Sequence, residues 1–143
     1  MLRIKLCFLI LACLLVCTLI PKRVSSIAGV VRLTKTPQQA LNLNPSLSDD
    51  GKVVVFESSA NFFAGGVNDS FHAIRVDVRG DPPVFVDVGR TRIVSPALSS
   101  DGSVVAFASR DDLVGKNPDR NWEVFLLNGS ELTQITRIKA DQN

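Results

Sequence analysis

Few side chains in this sequence are equipped for chemistry, and their surroundings argue against it. His72 is the only histidine. A histidine base needs a positioned nucleophile and a carboxylate held behind it, and no Gly-x-Ser-x-Gly turn offers a serine. His72 stands at the start of an apolar run, where a solvent-facing role at a strand end is expected. Ser48 and Ser58 recur as Ser99 and Ser109 at a spacing of 51 residues, so duty at turns and strand edges explains them better than four nucleophiles. Asn117, Asp119, Asn121 and Glu123 place oxygen-bearing side chains at alternate positions, the way loops present donors to a hard cation such as calcium. The run lacks the glycine and the later bidentate glutamate of an EF-hand loop. Its counterpart at 66–72 keeps few donors, so hydrogen bonding within the loop is expected and cation binding stays open. No catalytic, cofactor-binding or metal-ligating residue is assigned on these grounds.

A repeated frame carries these residues. NPSLSDDGKVVVFES, Asn44 to Ser58, aligns without a gap on SPALSSDGSVVAFAS, Ser95 to Ser109, with nine of fifteen positions identical. The same offset carries Phe71 onto Trp122 and Ile74 onto Phe125. Each unit reads as four strands. In the first, Pro45 to Ser48 leads through the turn Asp49-Asp50-Gly51 into Lys52 to Ser58, then come Ala73 to Val78 and, after Asp81-Pro82-Pro83, Val84 to Val88. In the second they are Pro96 to Ser99, Ser103 to Ser109, Glu123 to Leu127 and Leu132 to Thr136, with Asn128-Gly129 turning between the last two. Val53, Val54, Val55 and Phe56 put apolar groups on both faces of a strand, which then needs cover on both sides. Gly51 and Gly102 supply the positive φ of a tight turn, so replacing either is expected to cost about the same. Phe62-Phe63-Ala64-Gly65-Gly66 and Leu113-Val114-Gly115-Lys116 read as apolar plugs tucked against a neighbouring unit.

The Pro-x-Leu-Ser-x-Asp-Gly-x-Val-Val-x-Phe-x-Ser core, the polar loop after it, the Val-Phe-Leu strand and the closing Ile-Thr resemble the TolB-type, WD-repeat-like β-propeller repeat of exported bacterial proteins. The resemblance spans residues 30–137. It implies an all-β fold of antiparallel four-stranded blades, residues 44–94 and 95–143, preceded by a linker at 29–43 that contains an orphan strand, Val30 to Thr34. Two blades fall short of the four or so that close a propeller, so an incomplete propeller is expected. The implied function is non-enzymatic binding of a protein or envelope partner. The alternatives are a truncated remnant of a longer TolB-like propeller protein, or the propeller part of a hydrolase.

Residues 1–28 read as a signal peptide or signal anchor. Arg3 and Lys5 precede an uncharged run from Leu6 to Ile20, the pattern of a secretion signal helix. Ser26-Ile27-Ala28 suits cleavage before Gly29, whereas Lys22-Arg23 resists translocation and keeps an anchor at residues 2–20 in play. All three cysteines lie in this segment, and Cys13 sits in a faint lipobox, so membrane attachment follows only if the leader is uncleaved or lipidated. From Gly29 onward there are 12 basic and 14 acidic residues, the wrong sign for a nucleic-acid binder. Periplasmic or extracellular protein starting near Gly29 is the expected product. N-terminal sequencing of material from cell fractions checks this, and a Met1 start in a soluble cytoplasmic pool contradicts it. The expected partners are a protein or a second copy, docking through open blade faces that bare such residues as Val54, Phe56, Val105 and Phe107.

Overall fold

The computed structural model describes residues 31–91 and 95–139. The expected signal helix, its cleavage point and Val30 lie outside the described residues. The chain divides into two units, Met1–Leu33 and Thr34–Asn143. Of the first only 31–33 are described, without secondary structure.

In the second unit all described regular structure is strand. β1 (Asn42–Leu47), β2 (Val53–Ala60), β3 (Val67–Asp77) and β4 (Val84–Thr91) form one sheet, and β5 (Ala97–Leu98), β6 (Val104–Ser109), β7 (Glu123–Asn128) and β8 (Glu131–Gln134) form another. Each sheet is an antiparallel meander with its strands in chain order. Each of the eight expected strands overlaps one of these elements, several running one or two residues past it (Leu132 to Thr136 against a β8 that ends at Gln134), and there are three further differences. Residues 31–34 carry no strand, so the orphan strand expected at Val30 to Thr34 is not formed over its described part; within one chain no third sheet exists among the described residues to pair it. β3 begins at Val67 rather than Ala73, because its ladder with β4 runs on to Phe71 opposite Thr91 and its far end meets Ala60. The final hairpin turns on Gly129 and Ser130, since Asn128 still pairs with Glu131.

The two Asp-Gly turns are built alike. The Ser48 hydroxyl donates to Asp50 Oδ1 at 2.7 Å and accepts the Val53 amide at 3.0 Å, while the Lys52 amide donates to the same carboxylate at 2.9 Å. Ser99, Asp101, Ser103 and Val104 repeat these contacts at 2.6, 3.0 and 2.9 Å. Gly51 and Gly102 sit at φ of 68° and 74°, where only glycine is free of strain. Arg79 then ties the β3–β4 turn, which contains a cis Asp81–Pro82 peptide, to the first Asp-Gly turn by donating to Asp77 at 3.0 Å and Asp50 at 3.1 Å.

The core lies between the sheets. Directly opposed residues of an antiparallel pair share a face, so Val53, Val55 and Glu57 lie with Asp77, Arg75 and Ala73 on one face of the first sheet. Val55, Ala73 and Val88 of that face form one apolar cluster with Val105, Phe107 and Phe125 of the second sheet. Phe107 and Phe125 stack at 5.8 Å. Polar contacts fix the alignment: the Asp49 amide donates to the Ser100 carbonyl at 2.8 Å, Arg75 donates to the Gly102 carbonyl at 3.2 Å, and the Thr91 hydroxyl donates to the Ala108 carbonyl at 2.9 Å.

The other face of the first sheet holds Val54, Phe56, Ile74 and Val76. The plug from the β2–β3 loop covers part of it: Phe62 meets Phe56 edge-on at 6.0 Å and stacks on Phe85 at 5.1 Å. The expected exposure is therefore corrected. Val105 and Phe107 are enclosed between the sheets, and Phe56 is only 5% exposed beneath Phe62, leaving Val54 half-buried. Leu113, at the position corresponding to Phe62, does reach the neighbouring sheet, where it lies against Gly89.

Candidate functional site

The four repeated serines are all committed to structure. Ser48 and Ser99 close the Asp-Gly turns as described. Ser58 donates to Asn42 Oδ1 at 2.7 Å and accepts the Ala60 amide, and Ser109 accepts the Asp111 amide at 3.1 Å. Hydroxyl contacts hold the Asp101 carboxyl down to about 2, the Ser99 hydroxyl first and the Ser103 amide and hydroxyl after it. Because the folded state binds this proton less readily than the unfolded chain, the contact adds stability above the ordinary carboxylate range and loses it as pH falls through about 2. A carboxyl-carbon NMR titration is expected to place the Asp101 midpoint near 2, and Ser99→Ala should move it toward the ordinary 3.8.

His72 is half-buried on the outer face of the first sheet, where its Nδ1 lies 2.8 and 3.1 Å from the two carboxylate oxygens of Asp87. Ser58 is its partner across the β2–β3 ladder, so the three residue types of a hydrolytic triad are neighbours. The arrangement does not work as one. The Ser58 side chain is fully buried and gives its proton to Asn42.

The polar loop from Asn117 to Glu123 closes on itself. Buried Asn117 donates its amide to the carbonyls of Arg110 and Asn121 at 3.3 and 3.0 Å, and its backbone N–H donates to Asp112 at 2.7 Å. Asn121 donates to Asp119 and to the Ile138 carbonyl. Both Glu123 oxygens accept protein donors, the Thr136 hydroxyl and the Ile138 amide. Asp119 and Glu123 share their surface recess with Lys116, Arg137 and Lys139. Asp119 and Glu123 are thus spent on holding the loop and the chain after β8, among cationic neighbours, whereas the side-chain oxygens of Asn117 and Asn121 are buried without a hydrogen-bond partner.

A different feature gathers groups suited to recognition. A cleft of about 500 Å³ opens between the sheets, lined by Phe71 from β3, Arg90 and Thr91 from β4, Ser109 at the end of β6, and Arg110, Asp111, Arg120 and Trp122 from the segment that follows. Phe71 and Trp122, equivalent by the 51-residue offset, come together as its aromatic walls. Arg90 pairs with Asp69 at 3.2 Å and reaches Asp111 at 4.0 Å; Arg120 lies 3.8 Å from Asp111; Arg110 donates through Nε to the Arg120 carbonyl at 2.8 Å. Three guanidinium groups therefore face two carboxylates. Ion pairs this exposed contribute about 0–1 kcal/mol each, so an incoming carboxylate can displace them at little cost. The cluster carries no local sequence signal, because Arg110 and Arg120 stand ten residues apart in the β6–β7 loop and Arg90 joins them from β4 only when the sheets pack. Of the lining residues, the sequence marks Phe71 and Trp122 through their shared position in the repeat.

No protein-family model matches the chain, and no curated protein matches its sequence.

Proposed function

We propose that the chain is an exported β-propeller-type repeat module that binds a protein partner without chemical turnover and grips an acidic segment of that partner in the cleft between its sheets. The cleft is the observation that carries this reading. Arginine and tryptophan are the side chains that dominate binding energetics when they line a pocket, and guanidinium groups suit carboxylates because their donors are planar and forked. The four-stranded meanders, stacked face to face, and the two matching Asp-Gly turns support the propeller-type description. The leader supports export. The burial of Ser58 and the closure of the 117–123 loop favour binding over catalysis.

Trp122 is the only tryptophan, so its fluorescence reports on the cleft directly. Titration with hexaglutamate is expected to change the emission saturably, and hexalysine is not. Arg110→Ala is expected to weaken hexaglutamate by about tenfold, the scale of one charged hydrogen bond, and raised salt should weaken it further. Emission that stays unchanged at millimolar hexaglutamate would defeat the reading.

A further inference from the structure

Most aromatic rings of the two sheets are matched with one another. Phe62 lies against Phe56 and Phe85, and Phe107 stacks on Phe125. Phe71 and Trp122 make no ring contact among the described residues, although both line the cleft between the sheets. Trp122 is 37% exposed and Phe71 half-buried. Covering apolar area is favourable in proportion to the area removed from water, so a large ring left wet at the wall of a cleft favours any ligand that covers it.

The arginines beside these rings have donors to spare. Arg110 uses its Nε on the Arg120 carbonyl, and its terminal nitrogens make no hydrogen bond among the described residues. The Arg120 guanidinium makes none there at all: Asp111, its ion-pair partner, stands 3.8 Å away, past hydrogen-bonding reach. Arg120 precedes Trp122 by two residues, a span of about 7 Å along an extended chain. Free forked donors and an uncovered ring are thus offered side by side, at the spacing of neighbouring residues in a bound peptide.

We infer that the acidic segment held in the cleft carries an aromatic residue among its carboxylates, the ring seating against Trp122 and Phe71 while the flanking carboxylates take the free donors of Arg110 and Arg120. This rests on the reading of the cleft as a carboxylate site and specifies its ligand further. A purely acidic segment answers the arginines and leaves both rings in water. An aliphatic residue covers the rings but forgoes the offset or edge-to-face packing that aromatic pairs gain beyond the area they bury, and it forgoes the attraction of guanidinium groups for a ring face. At about 500 Å³ the cleft has the size of a site for a few side chains, so the partner presents this motif on a short exposed segment.

Isothermal titration calorimetry on the full-length chain in a mild non-ionic detergent compares Glu-Glu-Phe-Glu-Glu-Glu, its leucine counterpart and hexaglutamate. The phenylalanine peptide is expected to bind about tenfold more tightly than hexaglutamate, a modest share of what burying a phenyl ring supplies, although it carries one carboxylate fewer. The leucine peptide should fall between them. Trp122→Ser should bring the affinity ratio of the phenylalanine peptide to hexaglutamate close to one, and Arg110→Ala should weaken both peptides while keeping the ratio. Equal binding of these two peptides by the wild type overturns the inference and leaves the carboxylate reading standing. A leucine peptide that matches the phenylalanine one, or an advantage that survives Trp122→Ser, overturns it likewise. Binding of none of the three overturns both. Should Trp122→Ser fail to fold, the wild-type comparison decides alone.

Discussion

Gly102→Ala destabilises the protein far more than Gly51→Ala, although the two glycines occupy equivalent turns and nearly equal φ. Forcing an L-residue into the left-handed region costs about 1–2 kcal/mol at either site. At Gly51 that is the whole effect, since a methyl group meets open space. At Gly102 the methyl would lie 2.7 and 2.9 Å from Val53 Cγ2 and Cβ and 3.4 Å from Ser48 Cβ. Val53 is fully buried at the start of β2, an inner strand of its sheet, and cannot move aside without shifting that strand. Overpacking of that kind adds about 1–3 kcal/mol. Urea unfolding of both variants measures the gap, and equal midpoints would break the packing of the second turn on the first sheet. The equal cost expected from sequence fails because the turns match in conformation but differ in what lies above them.

Phe125→Ala is expected to cost about 3–5 kcal/mol, the range for emptying a buried aromatic site. Phe125 is 0% exposed, stacks on Phe107, and belongs to the cluster that Val55, Ala73 and Val88 share from the other sheet. Because that cluster joins the sheets, the loss should appear as one lowered transition for both, not as melting of the second sheet alone. Urea unfolding followed by circular dichroism, which sees both sheets, and by Trp122 fluorescence, which sees their junction, gives the comparison. Separate midpoints by the two probes would mean that the sheets are held independently.

Strand identity was legible where local chemistry is decisive. Asp-Gly turns with a serine before them and runs of Val, Phe and Ala after them announce β2 and β6, and the 51-residue offset transfers one reading onto the other. The early start of β3 was hidden, since Asn68-Asp69-Ser70 shows neither apolar alternation nor strand propensity and is recruited by pairing on its two sides. The role of Phe62 was half legible. The sequence marks it as a plug, yet whether a plug lands on its own sheet or the next depends on what is present to receive it. The arginine cleft was not legible at all, because the looping of 110–122 sets Arg110 beside Arg120 and only the packing of the sheets adds Arg90 from β4. The recurrence of the serines with the turns and strand ends is matched by the hydrogen bonds their hydroxyls make there.

Phe62 also bears on the order in which the molecule can be made. A chain synthesised from its N-terminus presents β1 to β4 before β6 and β7 exist. By folding its own loop over Phe56 and Phe85, the first sheet shields most of one face with residues already in hand. The face holding Val55 and Ala73 stays open until Phe107 and Phe125 arrive. One side of the nascent sheet is therefore sealed early and the other kept adhesive, which gives the second sheet a single favourable place to land.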